Sequence, residues 1–279
     1  MTHDEEESRA IAFLLLDDVC DLNRAQVLMG YDDDLSDSQK AELEHMAHRI
    51  TNGEPVQYVI GRTEFCGLSI NVAPGVLIPR PETEQLVSTI NGVTQFRTSD
   101  TDKPAPKILD IGTGSGCIAL ALKNYNTSAE VHAIDVSEAA LAQAMANARN
   151  LNLDVKFHQC DILNAEQTDE LLSSLGSQFQ VIVSNPPYVC ESERADMEIN
   201  VLDHEPSIAL FVPDDDPLLF YRAIAQTARK HLAVDGVLAF EINQQFGYQV
   251  CSLLEELGYH TVELHKDCYL NDRIVTARR

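Results

Sequence analysis

The sequence predicts an α/β protein, with a doubly wound, mostly parallel sheet and a small helical N-terminal domain. Seven short apolar runs alternate with helical patterns from residue 107 to residue 279. A glycine-rich turn joins the first run to its helix, whereas residues 1–57 carry helical periodicity alone. The length of 279 residues suits one large domain or two modest ones.

Residues 1–57 are predicted to fold into helices. Apolar side chains recur at near-helical spacing from Ile11 to Val19, and again from Leu22 to Met29. The segment SDSQ, which begins at Ser36, has the serine cap and the glutamine three positions later that mark a helix start. These patterns indicate a small helical domain.

The periodicity changes at Tyr58. Apolar and polar residues alternate on both sides of Gly67, as in two short paired strands, so residues 58–78 are predicted to be a β-hairpin linker. A helix with prolines at its entrance follows, and we expect the polar stretch from Thr98 to Pro106 to be a flexible connection. Residues 79–279 then form the α/β domain.

Strands and helices alternate through most of this domain. The runs read as strands are KILDIG, EVHAID, VKFHQCD, QVIVSN, GVLAFEI, YHTVEL and RIVTAR. Helices between strands favour parallel pairing, because a parallel connection needs a crossover. Only a short loop joins the last two runs, so we expect them to form an antiparallel pair at the sheet edge.

A glycine-rich loop follows the first of these strands. The loop consists of Gly112, Thr113, Gly114, Ser115 and Gly116. Glycines there let the backbone turn tightly and approach a ligand closely. The spacing is GxGxG, not the GxGxxG of dinucleotide enzymes, and no Lys-Ser/Thr pair follows as in phosphate-binding loops. A ligand with adenosine but no pyrophosphate fits this loop best; a purely structural turn is the alternative.

Acidic residues end the next two strands. Asp135 stands where a carboxylate can accept hydrogen bonds from a ribose diol. Asp161 is placed to accept from an adenine amino group, with Ile162 beside the ring. Alternatively, Asp135 caps a helix, although Ser137 is the stronger candidate for that cap, and Asp161 is a plain loop carboxylate.

The fourth strand runs into the sequence NPPY, which consists of Asn185, Pro186, Pro187 and Tyr188. Proline restricts the residue before it, so the Asn185 side chain is held in one direction. In a doubly wound sheet whose order reverses between the first and fourth strands, NPPY faces the glycine loop across the ligand crevice. A proline turn that merely ends the strand is the alternative interpretation.

The NPPY residues suit methyl transfer to a planar nitrogen. Asn185 Oδ1 and the Pro186 carbonyl can accept the two N–H bonds of an amide or an exocyclic amine. The nitrogen then faces a sulfonium methyl group in line, and the charge that develops on it is stabilised. Tyr188 can pack over the acceptor or near the sulfonium, since an aromatic face favours a cation.

Charge and composition exclude several classes of function. The chain has 20 basic and 44 acidic residues, a formal net charge of −24, which disfavours DNA or RNA as a direct substrate. Its longest apolar run is too short for a membrane span. The acidic start MTHDEEES lacks the features of a secretory signal, and the seven cysteines contain no CxxC pair, so we expect a cytoplasmic protein with reduced thiols.

Together, GTGSG, Asp135 and NPPY resemble class I S-adenosylmethionine-dependent methyltransferases. The segment from Glu54 to Val87 resembles more narrowly the bacterial release-factor glutamine methyltransferases, and HEPSIAL and NDRIV extend the likeness over almost the whole chain. The resemblance implies a seven-stranded catalytic domain, a helical domain that helps to dock the release factor, and S-adenosylmethionine as cofactor. It implies methylation of the glutamine side chain in the GGQ motif of peptide-chain release factors, which modulates translation termination.

The resemblance also assigns residues. Catalytic roles fall on Asn185, Pro186 and Tyr188. Cofactor contacts map to Gly112, Thr113, Gly114, Ser115, Gly116, Asp135, Asp161, Ile162 and Asn185, and the acceptor glutamine maps to Asn185, Pro186, Pro187 and Tyr188. No metal site is predicted, and we expect a monomer that binds no nucleic acid.

The chain departs from the family pattern at three places. Asn243 stands where relatives usually have glycine, and Cys268 to Leu270 replace a glycine-containing segment. We expect both changes to lie away from NPPY and to affect the sheet edge rather than the chemistry. Ile162 replaces a frequent aromatic residue, so it should stack adenine less strongly.

Three other functions fit parts of the sequence. A sister enzyme that methylates a ribosomal-protein glutamine shares most motifs, but PRPETE, from Pro79 to Glu84, favours the release factor. A DNA adenine methyltransferase shares NPPY but contradicts the charge, and a silent cofactor-binding scaffold contradicts the intact NPPY. Arg80, Glu82 and Glu84 border the substrate entrance or serve the start of a helix.

Overall fold

A computed structural model describes residues 5–94 and 105–279, except for the side chains of residues 32 and 33. The N-terminal region contains α1 (Glu5–Cys20), α2 (Arg24–Leu28), α3 (Asp37–Thr51) and α4 (Val56–Ile60). Leu15, Met46, Ile50 and Val59 form its apolar centre. Ser36 caps α3 and exchanges hydrogen bonds with Gln39, which confirms the predicted capping box. The predicted helical region is therefore present.

The predicted hairpin is also present, with different limits. Strands β1 (Arg62–Phe65) and β2 (Leu68–Asn71) pair antiparallel on either side of Gly67. The strand predicted from Tyr58 is wrong, because Tyr58 belongs to α4, which begins after Pro55 and ends at the left-handed Gly61. The Val72 amide adds one more hydrogen bond across the hairpin, to the Gly61 carbonyl at 2.9 Å, and the chain then leads to α5 (Pro81–Thr94). The connection expected at residues 98–106 lies mostly outside the described residues.

The α/β region is a seven-stranded sheet with two small strands beside it. In chain order its elements are β3 (Lys107–Ile111), α6 (Cys117–Tyr125), β4 (Glu130–Asp135), α7 (Glu138–Asn150), β5 (Val155–Gln159), α8 (Ala165–Ser174), β6 (Phe179–Ser184), β7 (Val189–Cys190), α9 (Ile199–His204), α10 (Ser207–Leu210), β8 (Phe211–Val212), α11 (Leu219–His231), β9 (Leu232–Glu241), α12 (Gly247–Glu256), β10 (His260–Lys266) and β11 (Asp272–Arg278). Short 3-10 turns occur at Tyr31–Asp34, Glu191–Asp196 and Gln244–Phe246.

The strand order confirms the predicted doubly wound topology. The sheet runs β10-β11-β9-β6-β3-β4-β5, and the pairs from β9 to β5 are all parallel. Strand β11 is antiparallel to both β9 and β10, as expected of the edge pair. The order reverses at β3, whose neighbours are β4 and β6, so a crevice opens at the carboxyl ends of these strands.

The sheet is buried on both faces. Successive residues of β3 belong to different apolar clusters, Ile108 to one and Leu109 to the other, because side chains alternate along a strand. Strand β6 shows the same division at Val181 and Ile182. Continuous apolar runs in these strands therefore reflect helices packed on both sides.

All seven cysteines are unpaired in this fold, as expected. Among residues 5–94 and 105–279, no helix has the length and apolar character needed to cross a membrane.

Candidate active site

The glycine loop turns in the left-handed region beside β4. Gly112 and Gly114 have φ angles of 72° and 56°, which favour glycine strongly. The amides of Gly112 and Thr113 both donate to the Ile134 carbonyl at 2.9 and 3.1 Å. A Cβ at either glycine would meet no atom within 4 Å. The loop therefore keeps open space beside its backbone for a ligand.

One cavity brings together most of the predicted site residues. Its lining includes Gly112, Thr113, Gly114, Ser115, Asp135, Asp161, Ile162, Asn185, Pro186 and Pro187. The predicted cofactor contacts other than Gly116, together with the first three NPPY residues, therefore border the same space. Gly116 and Tyr188 do not line this cavity.

Asp135 holds the loop as well as bordering the cavity. One carboxylate oxygen accepts from the Gly114 amide at 2.9 Å and the other accepts from the Ser137 amide at 2.9 Å. Burial raises the pKa of Asp135, and these backbone amides oppose the rise. Ser137 itself caps α7 by accepting from the Ala140 amide, as predicted. Asp135 therefore supports the glycine loop, and the cap of α7 is Ser137 rather than Asp135.

Asp161 and Ile162 form the third wall of the cavity. Asp161 Oδ1 accepts from the Leu163 amide at 2.9 Å, which fixes the turn after β5. Ile162 is partly buried against the apolar cluster that contains Leu109 and Ile134. The aliphatic side chain is thus held from behind while it borders the cavity.

Gly116 has a packing role. A Cβ there would lie 3.0 Å from the Ala144 Cβ, so α6 and α7 approach closely at this glycine. Asn147, which sequence reasoning missed, lies one turn further along α7 and donates to the Ser115 carbonyl at 2.9 Å. Asn147 also exchanges two hydrogen bonds with the backbone of Asn71 at 2.9 and 3.0 Å. The hairpin is thereby fastened to the glycine loop.

Asp110 is a second missed residue. It is fully buried below the loop, where Oδ2 accepts from the Thr113 hydroxyl at 2.6 Å and from the Ala119 amide at 3.2 Å. Its Oδ1 has no hydrogen-bond partner among the described residues. Burial raises the pKa of Asp110 to about 7. A carboxylate between apolar residues in KILDIG was the available signal.

The Asn185 side chain is held by a chain of hydrogen bonds. Its Nδ2 donates to Thr83 Oγ1 at 3.1 Å, and the Thr83 hydroxyl donates to Glu241 Oε2 at 2.6 Å. The Tyr188 hydroxyl donates to Glu241 Oε1 at 3.0 Å. Thr83 and Glu241 are only 2% and 1% exposed, so water does not compete for these bonds. Both ends of NPPY are therefore tied to one buried carboxylate.

Sequence reasoning missed Thr83 and Glu241, although each left a signal. Thr83 shares the buried face of α5 with Leu86, Val87 and Ile90, so it is a polar residue in an apolar stripe. Glu241 ends the apolar strand β9. Burial raises the pKa of Glu241, and the donors Thr83 and Tyr188 together with the charge of Arg273 oppose this rise.

Asn243 contradicts the expectation that it lies away from NPPY. Its Nδ2 donates to the Tyr188 carbonyl at 3.2 Å and to Glu193 Oε2 at 3.0 Å. Asn243 follows Glu241 by two residues, and β9 ends beside β6, so the change from glycine falls next to the motif. The expectation is wrong because β9 and β6 are neighbours only in the folded sheet.

The two predicted roles, at the substrate entrance and at the start of a helix, fall to different residues among Arg80, Glu82 and Glu84. Arg80 lines the cavity and pairs with Glu205, whose other oxygen accepts from the Ile78 amide at 3.1 Å. Glu82 and Glu84 lie in the first turn of α5, and Glu84 also accepts from the hairpin amide of Cys66 at 2.8 Å. Arg80 therefore borders the cavity, while the two glutamates belong to the start of the helix.

The donor set of the cavity fits S-adenosylmethionine. The glycines leave room for a ligand to approach the backbone closely. Asp135 offers carboxylate oxygens at the end of β4, and Ile162 offers an apolar surface. When bound, this cofactor supplies an electrophilic methyl group on sulfur. Asn185 and Pro186 border the same space.

Solved structures of other proteins share the fold of this chain. A methyltransferase from Pyrococcus furiosus matches with a TM-score of 0.50 and 18% identity, over 76% of this chain and 89% of its own. A human methyltransferase 10 domain containing protein matches with a TM-score of 0.54 and 17% identity, over 76% and 89%. At these identities the likeness establishes the fold alone.

Sequence comparisons establish the family. The profile described as a methyltransferase domain matches residues 102–271, and the profile of the PrmC N-terminal domain matches residues 2–61. A relative from Bacteroides thetaiotaomicron, named release factor glutamine methyltransferase, is 44% identical over 98% of this chain and 94% of its own length. Relatives of the same name from Flavobacterium psychrophilum and Bacillus subtilis are 40% and 34% identical, over 98% and 99% of this chain and 92% and 93% of their own lengths. The chain belongs to the release factor glutamine methyltransferase family and is an S-adenosylmethionine-dependent methyltransferase.

Proposed function

We propose that this enzyme methylates the side-chain amide nitrogen of the glutamine in the GGQ motif of peptide-chain release factors, and that Asn185 and Pro186 hold this amide. The observation that carries the proposal is the Asn185 carboxamide, which borders the cofactor cavity and is anchored through its Nδ2. Relatives that carry the release-factor name match nearly the whole chain. Modulation of translation termination follows from the place of this glutamine in the release factor.

The proposed chemistry depends on orientation. An amide nitrogen is a poor nucleophile because its lone pair is delocalised, so holding it in line with the methyl donor lowers the barrier. Asn185 Oδ1 accepts one of its N–H bonds and the Pro186 carbonyl accepts the other. As the nitrogen bonds to the methyl carbon, the carbon–sulfur bond would break and leave its electron pair on sulfur, so positive charge develops on the nitrogen and both hydrogen bonds strengthen with it. The nitrogen then loses one of its two protons to water, which leaves a neutral methylamide.

The Tyr188 ring takes a different part from the one expected. Its hydroxyl is committed to Glu241, and burial raises the pKa of Tyr188 well above its ordinary value. Tyr188 therefore stays neutral and supports the far end of NPPY. The ring packs over the acceptor only when a bound acceptor extends past Pro187.

Residues 1–57 are proposed to help dock the release factor. A groove lined by Ile11 and Ile50 of this region also includes Arg80, which borders the catalytic cavity. A protein chain that lies in the groove would therefore lead to the active site. We further propose that the enzyme acts in the cytoplasm, where release factors function, as a monomer, and that its acidic surface excludes nucleic acid.

The test of the proposal is the Asn185→Ala variant with an unmethylated release factor. We expect the wild-type enzyme to add one methyl group to the GGQ peptide, detected by mass spectrometry of the digested factor. Asn185→Ala should reduce the rate by about 100-fold or more, as loss of a transition-state hydrogen bond does. Its dissociation constant for S-adenosylmethionine, measured by calorimetry, should stay within about threefold.

The exposed Asn150→Ala variant provides the matched control, because Asn150 lies at the end of α7. It should methylate at the wild-type rate. Equal rates for Asn185→Ala and wild type would refute the role of Asn185. Methylation of a ribosomal protein in place of the release factor would favour the sister activity, and salt-sensitive binding to duplex DNA would revive the adenine alternative.

A further inference from the structure

The hydrogen bonds around Thr83 leave only one orientation for the Asn185 carboxamide. A threonine hydroxyl has a single hydrogen, and in Thr83 that hydrogen is donated to Glu241 Oε2 at 2.6 Å. Towards Asn185, Thr83 Oγ1 can therefore only accept. The amide group of Asn185 must present Nδ2 to Thr83, as observed at 3.1 Å, and Oδ1 is then at the opposite end.

Glu241 is held as an acceptor from both sides. Its Oε1 receives the Tyr188 hydroxyl and its Oε2 receives the Thr83 hydroxyl, so each oxygen has its own donor. Burial raises the pKa of Glu241, and the two hydroxyl donors together with the charge of Arg273 oppose this rise. Because Asn185 and Tyr188 are three residues apart, the hydrogen bonds close a ring through α5, β9 and NPPY.

We propose that Thr83 and Glu241 are positioning residues, which keep Asn185 Oδ1 directed at the acceptor amide. This inference rests on the proposed function, because it concerns how Asn185 accepts from the substrate. A reversed carboxamide would turn its own NH2 group towards the acceptor nitrogen, and two donors would face each other. Thr83 borders the cavity and Glu241 lies behind it, and both act through Asn185.

The first test replaces Thr83 and follows catalysis and cofactor binding separately. Thr83→Val keeps the shape of the side chain but removes the acceptor, so kcat should fall about tenfold, while the dissociation constant for S-adenosylmethionine stays the same. Thr83→Ser restores a hydroxyl and should recover most of kcat. Thr276→Val is the matched control: Thr276 is also buried and hydrogen-bonded, to His265 on the neighbouring strand, and should leave kcat unchanged.

A double variant tests whether Glu241 acts through Thr83. In Glu241→Gln, one of the two orientations of the new amide places its NH2 group at Thr83. The Thr83 hydroxyl then accepts from that NH2 group and can donate its hydrogen to Asn185, so the Asn185 carboxamide can reverse. We expect kcat to fall about threefold. Once Thr83 is valine, Glu241 reaches NPPY only through the Tyr188 hydroxyl, and the Oε1 of a glutamine can still accept that hydrogen bond. Thr83→Val/Glu241→Gln should therefore be about as slow as Thr83→Val alone. If the kcat loss of the double variant equalled the product of the two single losses, Thr83 and Glu241 would act independently, which would contradict a shared route.

A measurement without turnover separates this inference from the proposed function. In a 15N-labelled protein, the Asn185 side-chain NH2 signals, assigned by comparison with Asn185→Ala, should show one proton protected from exchange with solvent. Thr83→Val should remove that protection and Thr83→Ser should keep it. Unchanged protection in Thr83→Val would overturn the inference even if the wild-type enzyme methylates release factors, whereas wild-type inactivity on release factors would overturn only the proposed function.

Discussion

The cavity has a proposed cofactor half and a proposed acceptor half, and the two are built in different ways. The cofactor half uses the backbone of consecutive residues from Gly112 to Ser115 together with a carboxylate at the end of the adjacent strand. The acceptor half uses one side chain, Asn185, whose hydrogen-bonding partner Thr83 is 102 residues away in the sequence. Thr83 in turn depends on Glu241, which lies 158 residues after Thr83 in the sequence.

This difference determines what each half tolerates. A loop made of glycine backbone is specified locally, because few other residues adopt its φ angles. A carboxamide has no such local preference, since its two ends differ only in hydrogen-bonding character. Its direction is set by whichever donor or acceptor the fold places beside it. Changes in the two halves should therefore affect cofactor affinity and turnover separately.

The largest expected effect that would test this separation comes from Gly114→Ala. The added methyl group enters the open space of the cavity, and the left-handed φ of 56° is strained for alanine. The affinity for S-adenosylmethionine, measured by calorimetry, should fall about tenfold or more. Gly67→Ala in the hairpin turn carries comparable strain at φ 74° without entering the cavity, so it should bind the cofactor normally. Equal losses in both variants would show that strain alone is responsible.

A second prediction concerns Asp110, the buried side chain under the loop. Its pKa of about 7 lies above the ordinary value of 3.8, so the folded state favours the protonated form. The stability that this preference contributes is fully present below pH 3.8, and it is lost at up to about 1.4 kcal/mol per pH unit as the pH rises to about 7. Asp110→Asn cannot ionise and should lack this decline.

The measurement is the free energy of unfolding by urea between pH 4 and 8 without cofactor. The difference between Asp110→Asn and the wild type should grow in favour of the variant up to about pH 7 and then level off. The exposed Asp154→Asn variant serves as the control for loss of one negative charge. Parallel pH profiles for Asp110→Asn and wild type would contradict a raised pKa at Asp110.

The smallest expected effect belongs to Asn243→Gly, which would sharpen the comparison on the acceptor side. This change removes the hydrogen bonds to the Tyr188 carbonyl and to the Glu193 carboxylate but leaves Thr83 and Glu241 in place. We expect kcat to fall about twofold to threefold, with unchanged cofactor affinity, because only the neutral bond to Tyr188 reaches NPPY and one such bond contributes little. A fall in kcat as large as that in Thr83→Val would contradict this expectation. It would show that the contact of Asn243 with NPPY matters to catalysis as much as the contact of Thr83 with Asn185.

Much of the fold was predictable because its signals are local. The strand and helix alternation, the antiparallel edge pair and the Ser36 capping box all appear where the sequence predicts them. The hairpin was predicted but its start was misplaced, since Tyr58 and Val59 are buried in a short helix that alternation alone does not distinguish from a strand. Neighbours in space, such as Asn243 and Tyr188, could not be inferred from their separation in sequence.

The sequence by itself determined the glycine turn, the strand ends that carry Asp135 and Asp161, and the stiff NPPY segment, because backbone conformation follows from glycine, proline and apolar periodicity over a few residues. Only the tertiary structure decided which way Asn185 presents its carboxamide and why Glu241 is buried. Those properties depend on where α5 and β9 pack against β6, and on a single hydroxyl hydrogen that can be donated in only one direction.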